Sequence, residues 1–233
     1  MIRIRNIAHR GLYNDVIAEN TLSAFNNAVN NGYSIELDIQ LTKDDKIIVF
    51  HDTDLKRIFG TDKKVCDCDH SELSGYKIGK LEEKIPSLSE VFSLVDGKVP
   101  ILIELKENGR NIPIGPKVME LLLNYKGEYM VQSFYYKQIV WFKNNMPSVP
   151  RGMIYSKKGF AYAGLLNRIS KPVFLALDIN IPAEKVIKQR KKRPVFVWTV
   201  GRIEDYLAAR NAYDGIIFEK FEPEEWQTWM QWK

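Results

Sequence analysis

Ile35-Glu36-Leu37-Asp38-Ile39-Gln40-Leu41 alternates apolar and polar side chains without a break. Successive side chains of a strand point to opposite faces, so Ile35, Leu37, Ile39 and Leu41 share one face and Glu36, Asp38 and Gln40 the other. Two carboxylates on one face do not suit a strand of an ordinary buried parallel sheet, which is apolar on both sides. They do suit the mouth of a barrel: with Leu37 and Ile39 against an outer layer of helices, Glu36 and Asp38 point inward. The run Ile101-Leu102-Ile103-Glu104-Leu105-Lys106 repeats the device, with Glu104 and Lys106 on the parity opposite Ile103 and Leu105.

Outward from these two runs the chain keeps a strand-then-helix rhythm. Strands are predicted at Arg3 to His9, Ser34 to Leu41, Pro100 to Lys106, Glu128 to Ser133, Arg151 to Tyr155, Val173 to Asp178, Val195 to Val200 and Asp214 to Glu219. Amphipathic helical patterns fill Thr21 to Asn31, Leu88 to Val95, Pro113 to Tyr125, Tyr136 to Asn145, Ala183 to Lys192, Glu204 to Asn211 and Glu222 to Trp232. The stretch after Tyr155 carries the least distinct pattern. Asn20 suits the N-cap of the first helix, and Pro182 and Pro223 suit first-turn positions. Such alternation implies a parallel sheet with crossover helices. No G-x-G-x-x-G or G-x-x-x-x-G-K follows the first strand, which counts against a nucleotide-binding open sheet. Eight units in 233 residues favour a (β/α)8 TIM barrel in one domain spanning 1–233. Asp52 to Pro86 is polar, lacks the second crossover helix, and reads as a small inserted subdomain of about residues 52–86 after strand two.

Composition excludes several classes. With 45% hydrophobic and 27% charged residues the chain is globular rather than disordered. Apolar runs such as Val195 to Trp198 fall far short of the ~20 residues that span a bilayer, so no transmembrane segment is expected. Met1 to His9 lacks the unbroken apolar core of a signal peptide, which predicts a cytoplasmic chain, or an extracytoplasmic one if a leader has been removed. The two cysteines, in Cys66-Asp67-Cys68, are too close for an unstrained disulfide. The +5 net charge has one dense run, Lys188 to Arg193, which reads as the solvated end of a helix rather than a nucleic-acid site. No nucleic-acid partner is expected, and the oligomeric state is left open.

Three carboxylates, Glu36, Asp38 and Glu104, converging at adjacent strand ends repel one another unless protons or a cation compensate. Oxygen-only ligands suit one hard divalent cation, Ca²⁺ or Mg²⁺; a salt-bridge network with Arg10 and Lys106 is the alternative. Two of the three histidines lie at the same barrel end: His9 closes strand one, and His51 follows the apolar run Ile47 to Phe50. Histidine titrates near neutrality, so such a pair can supply one general acid and one general base.

These residues, taken in order, carry a resemblance. Ala8-His9-Arg10-Gly11, Glu19-Asn20-Thr21 with Ala24-Phe25, Glu36-Leu37-Asp38, Phe50-His51-Asp52, Pro86-Ser87-Leu88, Glu104-Leu105-Lys106, Gln132-Ser133-Phe134 and Trp198-Thr199-Val200 resemble the glycerophosphodiester phosphodiesterases over nearly the whole chain. The resemblance implies a TIM barrel whose second crossover is replaced by an insertion. It implies metal-dependent hydrolysis of a small-molecule glycerophosphodiester to sn-glycerol 3-phosphate and an alcohol. His9 and His51 would be the acid and base, Glu36, Asp38 and Glu104 the ligands of a divalent cation, and Arg10 and Lys106 the phosphate contacts. Trp198 would wall the glycerol carbons, Gln132 would make a polar contact, and Glu19 would order the loop around His9, with Asn20 capping the helix.

Two places depart from the family pattern. After His51 the chain reads Leu55-Lys56-Arg57-Ile58-Phe59-Gly60, and strand eight ends in Phe218-Glu219-Lys220. Both fall on the alcohol side of the implied substrate. Cys66-Asp67-Cys68-Asp69-His70 offers too few ligands in a surface loop to read as a metal site. Two other functions compete: a lysophospholipase D-like barrel acting on larger lipids, with Trp226, Trp229 and Trp232 as an aromatic stripe, and a catalytically silent binder of phosphate ligands.

Overall fold

The computed structural model describes residues 4–107 and 113–223. Nine strands occur among them: β1 (Asn6–Ala8), β2 (Ser34–Leu41), β3 (Ile47–Val49), β4 (Ile101–Leu105), β5 (Tyr129–Ser133), β6 (Arg151–Tyr155), β7 (Phe174–Asp178), β8 (Val195–Val200) and β9 (Gly215–Phe218). All but β3 are parallel and neighbour one another in chain order, and β1 pairs with both β2 and β9. That double pairing closes an eight-stranded (β/α)8 barrel. The helices are α1 (Leu22–Asn30), α2 (Lys56–Phe59), α3 (His70–Leu73), α4 (Leu88–Val95), α5 (Gly115–Asn124), α6 (Tyr136–Asn145), α7 (Ala163–Ser170), α8 (Ala183–Arg190) and α9 (Ile203–Ala209).

Strand parity organises the barrel. Ile35, Leu37, Ile39, Ile101, Ile103 and Val131 are fully buried in the layer between strands and helices. The opposite parity fills the interior: Ile7, Leu102, Met130, Ile154, Phe174, Phe196 and Ile217 form a separate apolar cluster, with Phe174 and Phe196 stacked at 5.0 Å. Gly152 makes room for that pair, since a Cβ there would lie 2.2 Å from the Phe174 ring. Following each strand to its carboxy end, the inward position turns polar: Ile7 gives way to His9, Leu102 to Glu104, Met130 to Gln132, Phe196 to Trp198 and Ile217 to Glu219. The lower barrel is thus a packed core and the upper barrel a polar bowl, the end at which barrel enzymes place their chemistry.

The interruption after β2 has a structure of its own. Ile47 to Phe50, an apolar run in the sequence, forms β3, which folds back antiparallel on β2 with Ile39 opposite Val49. Residues 50–86 hold only α2, α3 and a 3-10 turn at Val65–Asp67, over a small core of Ile48, Phe50, Leu55, Val65, Cys68, Leu73, Ile78 and Ile85. The regular chain resumes at α4, where Ser87 and Glu90 form a reciprocal capping box.

Two capping expectations are corrected. The N-cap of α1 is Thr21, whose hydroxyl accepts from the Ala24 N–H. Asn20 sits one residue earlier in the left-handed region (φ 55°), so its side chain turns away from the helix. Pro182 is the N-cap of α8 rather than its first-turn residue. The segment after Tyr155 forms a 3-10 turn and α7, whose buried residues are only Ala163 and Ser170; its large apolar side chains Leu165 and Ile169 do not face the core, which blurs the helical pattern in the sequence. Both cysteines are free. The helix expected from Glu222 to Trp232 falls, from residue 224 onward, outside the described residues, as do Trp226, Trp229 and Trp232.

Candidate active site

Asp38 and Glu104 are register partners in the parallel pair of β2 and β4, and Glu36 lies one inward step below Asp38. Ligand oxygens of Glu36, Asp38 and Glu104 lie within 4.8 Å of one another, and all three residues are buried. Arg10 and Lys106 answer part of this charge. Lys106 Nζ is 2.9 Å from Glu104 and 3.3 Å from Asp38, and Arg10 Nε is 3.5 Å from Asp38. Burial pushes the Asp38 carboxyl up, but the charges of Lys106, His51 and Arg10 and an Asn20 amide at 2.9 Å outweigh it, so Asp38 titrates below its ordinary range. Burial also works against the Lys106 ammonium, yet Asp38 and Glu104 hold it above its ordinary value.

Glu36 is different. It accepts the Arg10 backbone N–H at 3.1 Å, and the nearest ionisable nitrogen is His9 Nε2 at 4.0 Å. Burial, then the Asp38 and Glu104 charges, drive its pKa well above the usual carboxylate value; burial likewise raises Glu104. The salt-bridge network therefore covers Asp38 and Glu104 and, among the described residues, leaves Glu36 without a cation at contact distance. An all-oxygen set with this deficit fits a hard divalent cation.

Arg10 is placed by a tight turn. Its φ is 57°, and Gly11 follows at φ 82°, where a Cβ would meet Ala24 at 2.8 Å; only glycine tolerates both demands. The Arg10 guanidinium reaches Glu19 at 2.8 Å. Glu19 in turn binds Arg57 of α2 at 2.6 Å, and Arg57 Nε donates to Asp52 at 2.6 Å. Asp52 completes the chain by accepting from His51 Nδ1 at 2.6 Å. Arg57 thus ties the insertion, through Glu19 and Asp52, to both Arg10 and His51. Its charge draws Asp52 and Glu19 below their ordinary values against the opposing effect of burial. Burial lowers His51 from its ordinary value.

His9 is held in the same manner from the other side. Its Nδ1 lies 2.7 Å from Glu219, which also accepts from the Tyr13 hydroxyl at 2.8 Å. The His9 hydrogen bond draws Glu219 down to about 2. Each histidine therefore has Nδ1 engaged by a carboxylate, which leaves Nε2 as the nitrogen available for proton transfer.

His9, Arg10, Glu36, His51, Glu104, Gln132, Trp198 and Thr199 line one cavity of about 150 Å³, walled by Phe134, Ile154 and Ile217. Trp198 packs edge-on against Phe134 at 5.4 Å. Its indole Nε1 and the Gln132 Oε1 are buried with no hydrogen-bond partner among the described residues. Beyond His51 opens a polar cleft of about 550 Å³ that includes Asp52, Asp54, Arg57, Lys106, Phe134 and Tyr135. A larger cavity of about 720 Å³ lies at the opposite, amino-terminal end of the strands, and no candidate residue lines it.

His9, Arg10, Glu19, Asn20, Glu36, Asp38, His51, Glu104, Lys106, Gln132 and Trp198 all come to this one end of the barrel. Asn20 does so by orienting Asp38 rather than by capping. Sequence reasoning did not reach Glu219, Tyr13 or Arg57 as members of the site. The parity of β9, which points Glu219 inward beside His9, was the available signal for the first.

The model of the glycerophosphoryl diester phosphodiesterase family matches residues 9–222. The chain belongs to this family. It is thereby a phosphoric diester hydrolase. A glycerophosphodiester phosphodiesterase of Caldanaerobacter subterraneus is 32% identical over 228 residues, covering 91% of this chain and 92% of that one. A lysophospholipase D of Rattus norvegicus is 37% identical over 139 residues, 54% of this chain and 43% of that one. Among solved structures, an Oleispira antarctica phosphodiesterase in complex with its product sn-glycerol-3-phosphate shares the fold with a TM-score of 0.85 and 23% identity, covering 97% of this chain and 96% of that one. No helix among the described residues is long and apolar enough to cross a membrane.

Proposed function

We propose that this family member hydrolyses glycerophosphodiesters to sn-glycerol 3-phosphate and an alcohol, with His9 and His51 as the acid and base. The observation that carries the reading is the matched pair of carboxylate-held histidines, His9 with Glu219 and His51 with Asp52, lining one cavity with Glu36 and Glu104 of the three-carboxylate cluster. Glu36, Asp38 and Glu104 would hold one Ca²⁺ or Mg²⁺, which when bound stabilises the negative charge that grows on the phosphoryl oxygens.

The protein's own groups supply the remainder. Arg10 and Lys106 meet the phosphate oxygens. One histidine takes a proton at Nε2 from the attacking hydroxyl, and the other gives a proton from Nε2 to the departing alcohol oxygen as the P–O bond breaks. The carboxylates behind them fix each ring's orientation and tautomer. Trp198, Ile154 and Ile217 receive the glycerol carbons, and the free Gln132 Oε1 and Trp198 Nε1 match a hydroxyl donor and an acceptor on that moiety. The attacking hydroxyl is either the substrate's own 2-OH, giving a cyclic phosphate that a water then opens to sn-glycerol 3-phosphate, or a water attacking directly. The intramolecular route gains from proximity, and undiminished turnover of a 2-deoxy analogue excludes it.

The cleft beyond His51 has room for a bulky leaving alcohol; lysophospholipids, whose acyl chain stays with the glycerol phosphate, are the second substrate class to test. A panel of choline, ethanolamine, glycerol and inositol diesters with a long-chain lysolipid, assayed with each metal after chelation, tests both readings. Phosphate-ligand binding with no turnover of any member would instead establish the silent binder.

A further inference from the structure

The chain's positive charge is concentrated in one surface that the catalytic reading does not use. Residues 156–193 contain ten basic and two acidic side chains, net +8, against +5 for the whole chain, so the remaining residues are net negative. Asp178 is occupied locally, accepting from the Lys157 and Asn180 backbone N–H groups. Lys157, Lys158, Arg168, Lys171, Lys185, Lys188, Lys191 and Lys192 are exposed.

The same segment exposes large apolar side chains. Tyr162, Leu165 and Ile169 are 67%, 63% and 39% exposed, and Val173 just after α7 is 45% exposed. The spacing of three and then four residues puts Tyr162, Leu165 and Ile169 on one stripe, beside the inner stripe of Ala163, Leu166 and Ser170 that packs on the barrel. Lys143 of α6 reaches the Ile169 carbonyl at 2.9 Å, so a further cation flanks the stripe. Exposed aliphatic and aromatic groups set among unpaired cations are the surface chemistry of a protein that lies on an anionic bilayer.

We propose that α7 and the basic segment around it form a docking surface for an anionic lipid bilayer. Charge selects this occupant over a second copy of the chain, because a two-fold contact through this surface would set like charges against like. The aliphatic stripe selects it over a nucleic acid, whose phosphates and bases give Leu165 and Ile169 nothing to bury in. The surface starts at the active-site rim and runs along α7 to Val173 at the opposite end of the barrel. Ile154 walls the catalytic cavity, and the chain leaves that rim through Ser156 and Lys157 into the proposed surface. Docking thus lays one flank of the barrel along the headgroup layer.

Vesicle co-sedimentation tests the proposal without reference to catalysis. The intact chain is predicted to sediment with phosphatidylglycerol/phosphatidylcholine vesicles and to remain in solution with phosphatidylcholine alone. Leu165→Ser with Ile169→Ser should weaken partitioning about tenfold or more. Lys158→Gln with Lys171→Gln should weaken it severalfold, and 1 M salt should release the protein, since screening then acts within ~3 Å. Diesterase activity in solution and the unfolding temperature report that the variants are folded. The proposal is overturned if the wild-type chain ignores anionic vesicles or if folded Leu165/Ile169 variants bind them equally well. It is also overturned by a dimer in sedimentation velocity that the same variants dissolve, or by RNA binding that displaces the vesicles and is indifferent to Leu165 and Ile169.

Discussion

Replacing Glu219 by Gln removes one charge and almost no volume from the support of His9. In the native protein the Glu219 carboxylate accepts from His9 Nδ1 at 2.7 Å and from the Tyr13 hydroxyl at 2.8 Å, and its side chain is 20% exposed. Hydrogen bonds to ionised groups contribute about 1.5–3 kcal/mol and neutral ones about 0.5–1.5. Both bonds fall on one oxygen, Oε2, so the amide oxygen of Gln can still accept both donors, and what the variant loses is the charge behind them. The variant should therefore lose about 1–2 kcal/mol of orientation and charge stabilisation at His9, which is a fall in kcat of roughly 5- to 30-fold at ~1.4 kcal/mol per decade. KM should change little, because Glu219 does not line the substrate cavity. Steady-state assays of a glycerophosphodiester at saturating cation measure both constants. The variant also carries a stability signature. Because Glu219 is drawn from 4.5 to about 2 in the folded state, its contribution is present above the ordinary carboxylate pKa and is lost as pH falls from there toward about 2. Acid unfolding of E219Q should lack that component. A variant with wild-type kcat would refute the role given to Glu219.

Other substitutions probe separate parts of the account. Arg57→Ala breaks the link from Glu19 to Asp52; with both carboxylates released, kcat should fall about tenfold while the melting temperature moves little, because Arg57 is half exposed. Glu36→Gln removes the carboxylate that lacks a cationic partner, and calorimetric titration should show Ca²⁺ or Mg²⁺ affinity down at least about tenfold. Trp198→Phe removes the unpartnered indole N–H but keeps the wall, so KM should rise severalfold with the Phe134 contact retained. Gly152→Val drives a side chain into the Phe174 ring and should cost about 1–3 kcal/mol, read as a melting temperature lower by several degrees in calorimetry.

How far these features were legible in the sequence follows from their range. The inward carboxylates of β2 and β4 were legible because a strand's period of two sorts Glu36 and Asp38 from Leu37 and Ile39 within a single run. His9 and His51 were legible as strand-end residues for the same reason. The supports were not: Glu219 meets His9 and Tyr13 across more than 200 residues of chain, and only barrel closure between β1 and β9 brings them together. Arg57 lies in a segment with no periodic pattern, so its bridge to Glu19 appears only once residues 50–86 have folded on their own small core. Asn20 was misjudged because Asn serves equally well as an N-cap and in the left-handed backbone region, and the choice between them was made by the buried Asp38. The short β3 was hidden because three apolar residues do not distinguish a strand from a loop that packs. The concentration of charge in residues 156–193 was present in the composition all along, but its meaning depended on α7 turning Leu165 and Ile169 outward.

The central claim is that two carboxylate-held histidines cleave a glycerophosphodiester beside a cation site. ³¹P NMR of turnover with Ca²⁺ or Mg²⁺ present, comparing the wild-type chain with His9→Ala and His51→Ala, tests it most directly. The account predicts sn-glycerol 3-phosphate and free alcohol from the wild type, and a loss of about 10²- to 10⁴-fold in each variant with cation binding retained. Turnover that survives both replacements, or a wild-type chain that leaves every glycerophosphodiester intact, would contradict it.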